Sequence, residues 1–259
     1  GFQVTTQGQN NDRLTNLLSG TRAISWPDSN SAYAYLSFFF RGEYNYKELY
    51  YAEVAARTDA SSRFGKDHRW GMFWSLGFMW NIKNEAFLKD IEWLTNAQIK
   101  LSTGTSGNSE IPYYDHLALV AGDANYNDEA GIYPKQSGNE ELSWEQTWAN
   151  NIGLTLGFFN RVNLNVDFYH KKTTNMLMLV PQSYAITGVG NRWDNIGAMM
   201  NRGVEIAMDG DVIRTKDFTW NLSANVSYNK NKLLELYNGV EEYVNSTTGL
   251  KYVVGHPVH

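Results

Sequence analysis

Three carboxylates, Glu140, Glu141 and Glu145, crowd into one short segment. Glycoside hydrolysis uses such a pair, one acid and one second carboxylate about 5 to 10 Å apart. Nothing else in the chain completes a catalytic set. There is no Gly-x-Ser-x-Gly elbow, no phosphate-cradling glycine loop and no cysteine. The stretch Asp123 to Glu129 has the look of a calcium loop, but Asp128 stands where an EF-hand needs glycine and Pro134 where it needs glutamate. His68, His116, His170, His256 and His259 show no ligand spacing apart from the terminal pair. The expectation is a protein that is not an enzyme and carries no catalytic residue, metal or cofactor.

Binding chemistry has better candidates. Arg41, Glu43, Glu53, Arg57 and Asp59 alternate with Phe38, Phe40, Tyr44, Val54 and Ala56, so they share one polar face. They read as a charged wall, with opposite charges pairing across strands, or as a path lined for a substrate. Tyr113, Tyr114, Tyr126, Tyr133, Trp193 and Asn195 form a second group, in long connections. Aromatic rings cover the apolar face of a sugar and amides bind its hydroxyls, although packing within the loops is the plainer role.

The elements that hold these residues are strands. From Trp70, every second residue is apolar: Met72, Trp74, Leu76, Phe78, Trp80 and Ile82. Trp148, Ile152, Leu154, Leu156 and Phe158 repeat the pattern, as do Val162, Leu164, Val166 and Phe168, and Phe218, Trp220, Leu222, Ala224, Val226 and Tyr228. Period two means one oily and one wet face per strand. Ordinary strands run to about 5 or 6 residues, whereas a tilted membrane-spanning strand needs about 9 to 11, and these segments have the longer length. Strands are predicted at 32–46, 49–59, 69–83, 95–105, 145–158, 161–178, 199–212 and 217–230. Short turns around Tyr46, Asn160 and Thr215 alternate with long loops near 60–68, 106–144 and 179–198. Residues 84–94 form a longer link on the short-turn side, with helical spacing of Phe87, Leu88, Ile91 and Leu94.

Short turns at one rim and long loops at the other describe an all-β, antiparallel, up-and-down transmembrane β-barrel. Tyr46, Asn160 and Thr215 are then expected in the periplasm, and Phe64, Tyr126 and Asn191 outside. Trp70, Trp74, Leu76, Trp80, Trp220 and Leu222 are expected to face lipid. A soluble β-rich carbohydrate-binding module is the alternative, and it would bury the same tryptophans between two packed sheets.

Composition agrees with strands rather than helices. Aromatic residues make up 14% while mean hydropathy is only -0.45, which suits a wall whose two faces meet lipid and water. No stretch has the ~18 apolar residues of a membrane helix. A net charge of -5 with no basic stripe argues against nucleic acid.

The run Arg57-Thr58-Asp59-Ala60-Ser61-Ser62-Arg63-Phe64-Gly65, followed by Arg69-Trp70-Gly71-Met72-Phe73-Trp74-Ser75, resembles the "RxDGSSRFG…RWGxFPS" stretch of SusC/RagA-type TonB-dependent transporters. Leu101 to Asn108 is similar to that family's "RxSxGxTGN". Trp144-Glu145, Asn151-Ile152-Gly153-Leu154 and Gly157-Phe158-Phe159-Asn160-Arg161 are similar to "WExxxxxNxGLDxGFFxxR". Asp167-Phe168-Tyr169, Pro181, Gly188, Asn195-Ile196-Gly197, Asn201 to Glu205 and Asn229 to Lys232 follow in the family's order. Ala60 and Trp74 depart from the family's Gly and Pro. The resemblance spans residues 31–259 and implies a single partial barrel domain over 1–259, about eight or nine strands of a 22-stranded barrel, without plug or TonB box. It further implies a Gram-negative outer membrane, TonB-driven uptake of a glycan or peptide, a SusD-like surface lipoprotein as partner, and TonB engaged through an N-terminal part outside these residues.

Overall fold

The structure is a computed structural model that describes residues 5–7, 22–25, 31–126, 129–244 and 249–258. The chain divides into two units, 1–34 and 35–259. In the first, β1 (Thr5–Gln7) and β2 (Arg22–Ser25) form a small antiparallel hairpin.

The second unit is built on one antiparallel sheet. Its first four strands in chain order are β3 (Tyr35–Tyr46), β4 (Tyr50–Ser61), β5 (Trp70–Asn81) and β6 (Leu94–Asn108). A separate hairpin, β7 (Leu119–Tyr126) and β8 (Glu129–Gln136), interrupts them. The sheet resumes with β9 (Glu145–Phe158) and β10 (Val162–Thr174). A second side hairpin, β11 (Leu177–Pro181) and β12 (Asn191–Asn195), flanks the short helix α1 (Tyr184–Thr187). Then come β13 (Ala198–Arg214) and β14 (Thr219–Glu235), and a last small hairpin of β15 (Glu242–Val244) and β16 (Lys251–Val253). The sheet order is β14-β13-β10-β9-β6-β5-β4-β3, with edges at β3 and β14 among the described residues.

Turn chemistry holds one rim. Phe159 and Asn160 both take positive φ, as do Lys47 and Glu48, the left-handed pairs whose twist suits tight hairpins. Thr215 closes the third turn by bonding its hydroxyl to both the N–H and the carbonyl of Phe218. Tyr46, Asn160 and Thr215 therefore sit at one end of the strands, and the connections holding Phe64, Tyr126 and Asn191 at the other.

Several boundaries differ from the sequence reading. The segment expected as one strand at 161–178 is two, because Asn175 adopts a left-handed φ of 52° and the chain leaves the sheet to pair as β11. The connections at 106–144 and 179–198 are not plain loops, since the first contains a hairpin of its own and the second holds most of another that begins at Leu177. Helical spacing at 84–94 does not give an α-helix. One 3₁₀ turn, Ile82–Asn84, is followed by turns whose carbonyls at Leu88, Lys89 and Ile91 receive the Lys83 ammonium.

Register turns alternation into two surfaces. The row Tyr46–Tyr50–Trp80–Ile99–Leu154–Val166–Ile206–Val226 crosses all eight strands and is apolar or aromatic throughout. A neighbouring row on the opposite face, Glu43–Glu53–Gly77–Ser102–Asn151–Tyr169–Gly203–Asn229, carries the polar groups. The tryptophans are not sandwiched between sheets. Trp70, Trp74 and Trp220 are 54%, 36% and 50% exposed, which goes against the soluble-module alternative.

The turns also fix the strand incline. Counted from that apolar row, the Phe158–Val162 turn closes four residues lower and the Arg214–Thr219 turn seven lower. At about 3.3 Å per residue and 4.8 Å between strands, turns that lie on one level require strands tilted by about 40°, the incline of transmembrane barrels.

Candidate functional site

Two regions carry the candidate residues, the polar face of the sheet and the cluster of connections at the long-loop rim. On the polar face Arg41, Glu43, Glu53, Arg57 and Asp59 all lie together, as alternation requires. Arg41 bridges Glu43 at 2.6 Å and Glu53 at 3.1 Å, and Arg57 binds Asp59 at 2.7 Å. These groups face different surroundings. Arg41 is well exposed, whereas Asp59 is buried at 4% exposure beside Tyr35 and Phe73. Arg57 and Asp59 line a recess of about 370 Å³ with Ser75 and Ser106, while Glu43 and Glu53 border another of about 770 Å³ with Tyr51, Lys100 and Ser102. Farther across the face, Asn151, Asp167, Tyr169, Lys171, Glu205 and Asn229 surround a third of about 480 Å³. The surface offers a dense array of acceptors, amides and cations to whatever passes it.

The rim has a core of its own. Phe64, Phe73, Ile111, Leu142 and Trp144 are buried together, and Leu177 and Trp193 pack against them. Trp144 stands at the centre, its ring 5.4 Å from both Phe64 and Phe73, and its indole N–H donates to the Arg69 carbonyl at 2.9 Å. Phe73 and Met79 are the apolar residues that break alternation on β5, and of the two Phe73 is the buried one. Its ring lies between two glycines, for a Cβ at Gly71 would come within 2.6 Å of it and a Cβ at Gly107 would collide with it outright. That out-of-phase aromatic at the long-loop end of β5 is the sequence signal for this core.

Hydrogen bonds staple the side hairpin to the connection before β9 and, through Glu145, to β9 itself. The Asn195 amide accepts from the Ser143 N–H at 2.7 Å and donates to the Ser143 carbonyl at 2.8 Å and the Asn175 carbonyl at 3.1 Å. Asn139 donates to the Trp193 carbonyl at 3.0 Å, and Glu145 accepts from the Leu177 N–H at 3.0 Å. Asn195 and Glu145 are thus engaged by backbone. Glu141 pairs instead with His68 at 3.0 Å, so the three clustered carboxylates do not converge.

The remaining rim candidates separate. Tyr113 and Tyr114 meet edge to face at 6.4 Å, with the Arg63 guanidinium 5.0 Å from the Tyr113 ring. Tyr133 and Trp193 border a recess of about 370 Å³ with Tyr184, Arg192, Gln136 and Asp115. Burial raises the Asp115 carboxyl above its ordinary pKa, opposed by neighbouring His116. Tyr126 ends β7, and its side chain lies outside what the structure describes. Asn127 and Asp128 of the calcium-like stretch, and His259, also fall outside the described residues. Among the described residues no three His, Cys, Asp or Glu side chains are grouped to hold a metal ion.

On the apolar face the tilt sorts the aromatic residues by height. Trp80 and Trp220 stand six register positions apart, yet an incline of about 40° brings them to about the same level. Trp148 and Tyr228 share a second level about 20 Å above the first, with Leu76 about midway, so the band approximates the ~25 Å apolar belt of a membrane barrel. Between the girdles, polar groups are satisfied on the sheet itself. Thr103 donates to Asn150 at 2.8 Å and accepts from the Trp148 indole at 3.0 Å.

Comparisons with known proteins agree with this geometry. Residues 1–257 match the family model described as TonB dependent receptor-like, beta-barrel. The chain is 37% identical over 207 residues to TonB-dependent receptor P39 of Formosa agariphila, covering 80% of this chain and 20% of that protein. It is 36% identical over 216 residues to TonB-dependent receptor SusC of Bacteroides thetaiotaomicron, covering 79% and 21%. A solved structure of the RagAB peptide transporter superposes with a TM-score of 0.87 at 38% identity, over 96% of this chain and 28% of that one. The siderophore receptor PirA from Pseudomonas aeruginosa shares the fold, with a TM-score of 0.54 at 13% identity. The chain spans about a fifth of the length of the curated relatives it matches.

Proposed function

The chain belongs to the TonB-dependent receptor-like β-barrel family, and from that premise we propose that its eight-stranded sheet works as part of the wall of a SusC/RagA-type outer-membrane importer. The importer takes up a large substrate, a glycan or a peptide, with energy delivered through TonB and a SusD-like lipoprotein on the cell surface. SusC and the RagAB peptide transporter, each more than a third identical to this chain, support that reading.

The carrying observation is the pair of unbroken register rows, one apolar and one polar, on opposite faces of the tilted sheet. A sheet with one oily and one hydrophilic surface separates lipid from water. Trp70, Trp74, Leu76, Trp80, Trp220 and Leu222 then meet acyl chains. Arg41, Glu43, Glu53, Arg57 and Asp59 face the aqueous bore, and Tyr113, Tyr114, Tyr126, Tyr133 and Trp193 stand on the extracellular side. Open edges at β3 and β14 fit a piece of a larger wall, because unpaired backbone groups cost several kcal/mol each in hydrocarbon and closure with further strands removes them.

The test is uptake. Cells expressing the transporter that contains this wall should accumulate labelled oligosaccharide or oligopeptide, lose that accumulation when TonB is deleted, and yield a surface lipoprotein on mild purification of the barrel. Recovery of the protein in the soluble fraction, or uptake that persists without TonB, would overturn the reading.

A further inference from the structure

Above the apolar belt, the lipid-side face of β10, β13 and β14 becomes basic. His170, Arg202 and Lys230 are successive register partners, and one row farther up Lys172 and Lys232 flank Met200. The tilt places Arg202, Lys172 and Lys230 within about 5 Å of the height of Trp148 and Tyr228, the upper aromatic girdle. Trp220 to Tyr228 covers about 26 Å along β14, or about 20 Å of height, so Lys230 falls where the hydrocarbon ends.

This row is uncompensated. Like charges directly opposite one another destabilise a sheet, yet Arg202 and Lys230 face each other, and among the described residues neither they nor Lys172 and Lys232 form an ion pair. The carboxylate on the same face of these strands, Glu235, stands beyond the bulge at Ala198 and Met199 and makes no ion pair among the described residues. On the opposite face Arg41 and Arg57 are each matched by acids. Exposed Arg202 and Lys230 therefore draw their counter-charge from outside the chain, at the depth of lipid head groups.

We infer that Arg202, Lys230, Lys172 and Lys232 form a docking site for the phosphate-bearing head group of an outer-leaflet glycolipid. The Arg202 guanidinium provides a planar fork suited to phosphate, the lysines act as point charges, and the apolar row of Phe168, Val204 and Tyr228 just below receives the acyl chains. The inference rests on the barrel-wall reading.

The test uses the complete outer-membrane protein carrying this wall, purified in mild detergent, with bound lipid measured by native mass spectrometry. Each cation removed near an anionic surface should cost roughly fivefold in lipid retention, so Arg202→Gln with Lys230→Gln should lower co-purified phosphorylated glycolipid by at least roughly twentyfold. Lys100→Gln with Lys171→Gln, on the other face, should leave it unchanged. Heat-dependent gel migration reports whether each variant still forms a barrel. Should the double variant not assemble, the wild type's melting temperature in vesicles with and without the phosphorylated glycolipid decides. A rise with the lipid supports the site. No rise, or an equal rise from inorganic phosphate with neutral lipid, overturns it. Equal glycolipid in wild type and a folded double variant also overturns the site while leaving the barrel standing, whereas absence of all membrane lipid from the wild type brings down the barrel reading itself.

Discussion

The rim of connections and the sheet below it are stabilised in opposite ways. In the rim, Phe64 and Leu142 are wholly buried and Trp144 nearly so, a small aqueous-type core of the kind found in any soluble domain. In the sheet, large apolar side chains of the apolar face such as Phe38, Met72, Val226 and Tyr228 remain more than half exposed. One polypeptide thus serves two solvents. The rim gains stability by removing apolar surface from water, while the wall leaves its apolar surface for another medium to cover and relies on its ladder of backbone hydrogen bonds. A mutation that opens the rim core should loosen the rim and spare the wall, and a charge placed on the wall's outer face should do the reverse.

The largest effect is expected at Trp144. Truncation to alanine removes its contacts with Phe64, Phe73 and Tyr35 and the bond to the Arg69 carbonyl, and aromatic-to-alanine changes in packed cores cost about 3 to 5 kcal/mol. Hydrogen exchange should speed up across 62–69, 109–118 and 139–144 in the Trp144→Ala protein. Amides in the middle of β5, β9 and β10 should keep wild-type protection. Uniform deprotection of both regions would show that rim and wall are one cooperative unit.

Leu76→Arg tests the wall. At the middle of the apolar band an arginine should cost about 2 to 4 kcal/mol in a membrane, read from denaturant titration of the barrel reconstituted in lipid vesicles. The adjacent Ser75→Arg points to the polar face and should cost less than about 1 kcal/mol, the scale of an ordinary surface change. Equal penalties at the two neighbours would erase the distinction between faces.

Arg41→Ala comes third. Its pairs with Glu43 and Glu53 are exposed at 60% or less for each partner side chain except Glu43 at 64%, and such exposed pairs contribute about 0 to 1 kcal/mol. Stability should therefore hardly move, while under the proposed importer role the uptake of a charged substrate should fall and is the sensitive measurement. A large stability loss would mean that this end of the polar face is as tightly held as the buried Asp59 end.

How much of this was legible beforehand follows the same division. Alternation from Trp70 to Ile82 named the apolar face of β5, and the short links around Asn160 and Thr215 named the rim with short turns, because both are local properties of the chain. The hairpin inside 106–144 and the one that begins at Leu177 were not legible, since short strands such as Leu177–Pro181 carry too few residues to display a period. Phe73 was visible as an apolar residue out of phase, but the partners that bury it come from Phe64, Ile111, Leu142 and Trp144, far apart in sequence. The basic row was hidden for a related reason. His170, Arg202 and Lys230 lie on three strands, and only register brings them side by side.

The smallest expected effect belongs to Asp115, in the rim connection before β7. Burial raises its carboxyl pKa, so the folded state holds the proton more tightly than the unfolded chain does. Its contribution is fully present below the ordinary carboxylate pKa of 3.8 and is lost as pH rises through the folded value. At neutral pH the wild type has lost it, whereas Asp115→Asn carries no charge to desolvate. Partial exposure and the nearby His116 discount the gain to a few tenths of a kcal/mol, about the scale of a screened surface interaction. The asparagine variant should slow exchange of amides at 113–118 slightly at pH 7, and the difference should shrink towards pH 4. The wall should show no change at either pH, because the side chain that titrates belongs to the region that water, rather than lipid, holds together.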